Sequence, residues 1–551
     1  MKRLALAGLA AAVAGAGAGA AARDRADLDV GRDTTIAADA AYAGGRIRAG
    51  ATLRLDPARS LTLTFTSNVI VDGALVSRPN PGVTHTIRFE GVNEAGYVGG
   101  GMTPLASDVG LWVIGEGRLD LAGAEKRSWT RLAGGVARGA TTIELDADAD
   151  GWQPGDTIVI APTTRPTDAA FWAGFDEAQI ARVDGRRVSL TAPLSYDHPR
   201  VGERWTAEVF VLSRSMVLEG TPRGRAHVFI HSSGPQSIAN VEIRHMGPFN
   251  ARDPEATVLG RYPLHFHHAG DGSRGSTVRG VVVHHSGNRA FVTHGSNGVT
   301  YQGTVAYDVV ETPYWWDPAP RGTQRKLRDA SNDSDGVTYD RAIAALVRPT
   351  VAFRGYRLAG FQVASGTNLT LIDSVAVGVQ GNKSSSGFHW PEGQSASPWI
   401  FERNLAHNNK RDGIFVWQNT PIRHRISDFT AYHNGGAGIE HGAYGNAYLY
   451  ERLTLFGNRE AGIHLHAVGK EQAGGLRFRC GEIDGAGIGA AGALISPSPV
   501  SGDPARFEGI SIRSTQGPDF QLHGRAAGRG MTIDQRVRQQ AADCVTSAPG
   551  R

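Results

Sequence analysis

The chain has 551 residues, a formal net charge of +4 and a pI near 9.0. A charged fraction of 20% and an apolar fraction of 41% suit a folded, β-rich chain and exclude a disordered one. No long basic run is present, so nucleic acid is not the expected partner. The 72 glycines lack a period of three, which excludes collagen. A mildly basic surface still favours a polyanion such as an acidic polysaccharide.

Residues 1–22 carry Lys2 and Arg3, then an apolar stretch, then small residues, the pattern of a secretory signal peptide. No other stretch is apolar enough to span a bilayer, so the expected location is outside the cell or in the periplasm, with no membrane span after cleavage. Residues 27–127 alternate apolar and polar side chains between Gly, Asp and Pro turns and read as a glycine-rich β module. Its stretch Tyr97 to Met102 reads as a flexible loop. Residues 128–204 read as a small β-barrel or sandwich covering one end of the downstream repeat, because repeat stacks need caps. Cys480 and Cys544 can pair or remain free, and their spacing does not decide which.

Over 205–524 a repeat emerges, with a tail at 525–551. Leu264, Phe291, Tyr314, Phe361, Phe388, Ile414, Ile439 and Ile463 mark one strand in each repeat. The steps, by subtraction, are 27, 23, 47, 27, 26, 25 and 24. The step of 47 is either two coils or one coil with an insertion at the polar stretch Arg321 to Tyr339. A period in the mid-twenties predicts an all-β fold, a right-handed parallel β-helix preceded by N-terminal β-rich modules. Asn409, Asn434 and Asn458 each precede their anchor by five residues. They read as an asparagine ladder in a turn, where Asn tolerates left-handed backbone and bonds main-chain groups.

Strand alternation sends Leu264 and Phe266 inward and His265 and His267 outward. One residue past the anchors, the outward column runs His265, Val292, Trp315, Gln362, His389, Phe415, Glu440 and His464. Three past, it runs His267, His294, Asp317 and on to Trp417. Coils stack about 4.8 Å apart. His267, His294 and Asp317 can therefore converge on one divalent metal ion, or form a proton relay in which Asp317 orients a histidine. These three and Asp340 are the candidate catalytic residues. Arg261, His265, Asp271 and Asn297 are expected beside them, Arg261 to neutralise a uronate carboxylate. Trp315, His389 and Trp417 are candidate platforms for sugar rings.

GRYPLHFHHAGD, then VTHGSNGV, then the step Trp315 to Asp317, resemble the family of the cell-migration-inducing hyaluronan-binding protein and the related transmembrane hyaluronidase of animals. FQVASGTNLTLIDSVAVG, FERNLAHNNKRDGI and, upstream, DVGLWVIGEGRLDLAG, SWTRL and GDTIVIAPT resemble the same family, the upstream ones its glycine-rich N-terminal domain and the unit after it. The resemblance implies a right-handed β-helix, export, and binding or depolymerisation of a hyaluronan-like polysaccharide. The matching positions are Arg261, His265, His267, Asp271, His294, Asn297 and Asp340. The chain departs from the pattern at Tyr339-Asp340-Arg341, where the family has Phe-Asp-His. The expectation is thus a secreted depolymerase, hydrolase or lyase, working along a β-helix groove. The alternative is a non-catalytic carbohydrate-binding or adhesion protein.

Overall fold

A computed structural model describes residues 25–250, 252–253, 257–316, 334–350, 358–363, 366–390, 397–416, 423–442, 448–466, 476–496, 505–517, 519–522, 531–533 and 544. The 1–22 segment and most of the tail lie outside them. The regular secondary structure of the described residues is almost wholly strand. No described helix is long and apolar enough to cross a membrane.

Two long parallel sheets build a β-helix. One, of 15 strands, runs from Leu28–Val30 to Phe520–Leu522. Its ladder pairs Leu264 with Phe291, then Tyr314, Phe361, Phe388, Ile414, Ile439 and Ile463, the expected anchors in the expected order. Each is 2% exposed or less. Tyr314 pairs directly with Phe361, so the step of 47 is one coil with an insertion. Aromatic anchors stack down the core, Tyr314 on Phe361 at 4.4 Å and Phe361 on Phe388 at 5.0 Å between ring centres.

The start of the helix differs from expectation. The same sheet already contains Gly45–Ile47, Val69–Val71 and Gly110–Gly115, and Leu111 pairs with Val228 across 117 residues of sequence. The 27–127 segment is therefore the first coils of the helix, not a separate module. Its inward column Val30, Ile47, Val71, Val113 continues into Ile230 and Phe266. Its coils are uneven, the inward residues stepping by 17, 24 and 42 by subtraction, and the unit between Leu111 and Val228 breaks the period, so no repeat is visible by counting.

That intervening unit is a six-stranded antiparallel sheet: Trp129–Arg131, Glu208–Val211, Thr157–Ile160, Asp176–Asp184, Arg187–Leu190 and Thr142–Glu144. Thr157–Ile160 and Glu208–Val211 are apolar on both faces because both faces are buried. Ile158, Ile160, Val209 and Val211 pack into the unit's own core. Val159, Phe210 and Leu212 pack on Val282, Val305, Ile343, Val375 and Leu405, which belong to successive coils of the second parallel sheet or adjoin it. The unit thus lies along the flank of the helix instead of covering its end. A flank position suits a sheet with one spare apolar face, which matches the row of outward valines beneath it.

The contact holds one buried ionic group. Glu208 accepts from His407 Nε2 at 2.9 Å and from Arg131 Nε at 3.0 Å, with its side chain wholly buried. Burial raises its carboxyl, but the charges of His407 and Arg131 outweigh this and leave it at about 2. Against an unfolded value of 4.5, the depressed folded pKa contributes about 3 kcal/mol above pH 4.5, lost as pH falls from 4.5 towards 2. Glu208→Gln is expected to flatten that part of the stability–pH curve, read by denaturant unfolding between pH 2 and 5. An unchanged slope would contradict the account.

Asn409 Nδ2 donates to Asn434 Oδ1 and Asn434 Nδ2 to Asn458 Oδ1, each at 2.9 Å, and all three side chains also bond main-chain groups. The ladder is structural, as its turn position predicts. Cys480 and Cys544 form a disulfide, with Cα atoms 5.5 Å apart.

Candidate functional site

The His-bearing strand Leu264–Gly270 pairs with His227–Ser232 on one side and Phe291–Ser296 on the other. Leu264 and Phe266 enter the core, and His265 and His267 leave the opposite face, as alternation requires. His267 stands opposite His294 on the next coil, their ring centres 4.6 Å apart. The ligand-capable nitrogens of His265, His267 and His294 all lie within 4.8 Å of one another. His265 Nδ1 and the Gly260 carbonyl are 3.0 Å apart, so Nδ1–H donates and Nε2 keeps its lone pair, facing His267 Nδ1 at 3.3 Å.

His268 joins this cluster, and periodicity misses it. Alternation sends it inward, but the register shifts between His267 and Gly270 and His268 takes a left-handed φ of 46°. Its ring lies 4.3 Å from that of His294. Burial and then the neighbouring imidazoles push the proton affinity down: His265 well below its usual value, His267 to about 2. At neutral pH these rings are uncharged, with nitrogen lone pairs available. They suit metal ligation better than acid catalysis.

Arg261 does not hold a ligand. Its side chain is completely buried, with Nε donating to Asp108 Oδ2 at 2.7 Å and Nη2 to the Gly100 carbonyl at 2.7 Å. The guanidinium lies 4.7 Å from the ring centre of Trp112. Asp108 in turn accepts from the main-chain N–H of Val98 and Gly99. Together they bind the glycine turn to the His strand. Gly99, Gly100 and Gly101 have φ of 71°, 64° and 66°, a run that side chains disfavour. The stretch expected to be flexible is thus a fixed wall beside His265. Alternation could not reveal this, because Asp108 and Arg261 are 153 residues apart.

The remaining expected residues are dispersed. Asp271 is exposed and accepts from Asn297 Nδ2 and Arg274 Nη2, each at 2.8 Å, in a surface network reaching Asp335. Asp340 is not at the histidines. It lies in the second parallel sheet on Thr338–Asp340 and accepts from Gln302 Nε2 at 2.9 Å. Counting places it near the site in sequence, but the coil turns away before it. The outward column pairs as expected from His265 to His464, yet His265, His389, Phe415, Glu440 and His464 are all buried, so the column is no open shelf. His389 packs against Phe415 at 5.1 Å, three strands beyond His294. One face of Trp315 is occupied by the Arg289 guanidinium at 3.9 Å. Asp317 and Trp417 lie outside the described residues.

Residues 224–315, which hold every histidine of the cluster, match the family model described as CEMIP beta-helix. A G8 domain-containing protein of Dictyostelium discoideum is 29% identical over 204 residues, 36% of this chain and 17% of that one. The human cell surface hyaluronidase CEMIP2 is 24% identical over 328 residues, 50% of this chain and 23% of that one. The chain thus spans less than a quarter of either relative. Among solved structures, the mannuronan C-5 epimerase AlgE4 A-module of Azotobacter vinelandii aligns over 92% of this chain and 90% of that one, at 10% identity and a TM-score of 0.30. The chain is therefore similar, at low identity, to G8-domain and CEMIP-type proteins, and its histidine cluster falls within the segment that the CEMIP β-helix model matches.

Proposed function

We propose that this chain is an exported polysaccharide depolymerase whose reaction centre is the imidazole group of His265, His267 and His294. The observation that carries the reading is the convergence of three ring nitrogens within 4.8 Å on the outward face of a parallel β-helix. The name of the hyaluronidase among its relatives supports a polysaccharide as substrate. Hyaluronan itself is one member of the panel to be tested.

The donor set fits a divalent transition metal, since three imidazoles at this spacing need only small side-chain adjustments to reach about 2.0–2.1 Å from one ion. When bound, such an ion supplies Lewis-acid polarisation of an oxygen and an activated water. The chain's own part is orientation. The Gly260 carbonyl fixes the tautomer of His265, and Arg261 ties the glycine turn to the start of the histidine strand. His268, 4.6 Å from His267 between ring centres, is placed to move a proton at the edge of the cluster.

The test is size-exclusion chromatography of acidic polysaccharides after incubation with the purified protein, with and without chelator, alongside absorbance of unsaturated uronate ends. The expected result is shortened chains, with activity lost on chelation and restored by zinc. Shortening without absorbance identifies a hydrolase and absorbance a lyase. Shortening that survives chelation would remove the metal. Unchanged chains across the panel would leave a binding protein.

A further inference from the structure

A second group of imidazoles and carboxylates lies on the other parallel sheet, where the antiparallel unit meets the helix. Arg244 pairs with His284, His284 with Tyr307 and Ser286 with Val309, so His245, His285 and Asp308 share one position on three successive coils. All three take a left-handed φ, of 51°, 53° and 53°. The bend itself does not select them, because the next two coils place Leu346 and Gly378 there, with φ of 49° and 71°. Glu177, on the strand Asp176–Asp184 of the antiparallel unit, reaches the same place. His285 Nε2 is 4.0 Å from Glu177 Oε2 and 3.9 Å from Asp308 Oδ2, too far for hydrogen bonds and close enough for one ion to lie between. Asp308 binds Arg348 Nε through its other oxygen, Oδ1, at 2.6 Å.

Hydrogen bonds behind His285 fix which nitrogen faces that gap. Glu242 is a buried carboxylate that accepts from Arg244 Nη1 at 3.0 Å and from the Arg214 main-chain N–H at 2.9 Å. His284 Nε2 lies 3.1 Å from Glu242 Oε1 and therefore donates. His284 Nδ1 is then an acceptor, and His285 Nδ1, 2.6 Å away, donates to it. Burial and then the neighbouring imidazoles oppose a second proton on His285, so Nε2 keeps its lone pair. A lone pair facing two carboxylate oxygens is unfavourable unless a cation stands among them. The chain from Glu242 through His284 is the outer support that a metal-bound histidine requires. The group is open to solvent, with 34% of the His285 side chain and 43% of that of Glu177 exposed. His245 stands alongside, its ring centre 5.4 Å from that of His285 and its Nδ1 without a hydrogen-bond partner.

We propose that His285, Glu177 and Asp308 bind a divalent transition-metal ion that ties the antiparallel unit to the helix. Ligand atoms about 2.0–2.2 Å from a tetrahedral ion stand about 3.4 Å from one another, so the group needs to close by only about half an ångström. One imidazole nitrogen with two carboxylate oxygens suits zinc or manganese, and water completes the coordination. This site is independent of the three-histidine centre, which lies on the other sheet.

The test measures zinc binding to the full chain by titration calorimetry in a His267→Ala, His294→Ala background, which removes the first centre. The background is expected to bind one zinc ion per chain. Glu177→Gln and Asp308→Asn should each weaken that binding at least about tenfold, since even outer-shell partners are worth that much, and His285→Ala should abolish it. Glu177 is partly exposed and Gln keeps its shape, so this variant should fold. Glu125→Gln, an exposed carboxylate beside Arg279, controls for charge and should bind as the background does. Zinc should also raise the denaturation midpoint of the background and not that of its Glu177→Gln variant, because the ion is held only while the unit sits on the helix. In the otherwise unaltered chain, Glu177→Gln should lower the zinc count by one, which frees the result from the background. No zinc bound by the background, or an affinity unchanged by Glu177→Gln or by Asp308→Asn, would overturn the inference and leave the three-histidine reading as it stands.

Discussion

Arg261→Met is expected to cost about 3–5 kcal/mol of stability, because it leaves the Asp108 carboxylate buried beside an apolar chain. Both side chains of the pair are wholly buried, so no water can replace the lost guanidinium. The damage should be local as well as global. Asp108 holds the Val98 and Gly99 amides, and Arg261 holds the Gly100 carbonyl, so the glycine wall loses its ties on both sides. Denaturant unfolding measures the first effect, and hydrogen exchange at Gly99 to Gly101 the second. Asp108→Asn in the same background should recover part of the loss, since it removes the unpaired charge while keeping the shape. An Arg261→Met variant within about 1 kcal/mol of the parent would show that the pair is not the anchor described.

His267→Ala and His294→Ala are each expected to lower depolymerisation by more than about 100-fold, because each removes one of three nitrogens that must act together. Binding of zinc, measured by titration calorimetry, should fall by one ion per chain. Stability should change little or rise. Both rings are only partly buried, and burial together with mutual repulsion already depresses the proton affinity of His267 to about 2. Variants that stay folded with unchanged turnover would move the reaction centre away from the cluster. His265→Ala should lose metal too, and it also opens a cavity under the glycine wall, so His265→Gln is the better probe of ligation alone.

Much of the helix was legible because its physics is local and periodic. Inward apolar residues at a spacing in the mid-twenties can come only from coils stacking one strand on the next. The ladder from Leu264 to Ile463 pairs in the register that spacing predicts. The facing of His267 and His294 comes from the same count. The early coils were not legible. The antiparallel unit divides Leu111 from Val228, and no local signal says that two distant apolar strands are neighbours.

The sequence alone determined the fold class, the inward columns and the two histidines that meet across adjacent coils, because strand alternation and coil period act over a few residues. Only the tertiary structure decided the roles of the charged groups. Arg261 and Arg289 carry the same side chain, and each lies a few residues from a histidine-bearing strand. One is consumed by Asp108 from a coil 153 residues earlier, and the other keeps two N–H groups without acceptors. Likewise His268 joins the cluster through a bulge, and Asp340 leaves it through a turn of the coil. Electrostatic roles depend on distance in space and on burial, and neither is encoded in spacing along the chain.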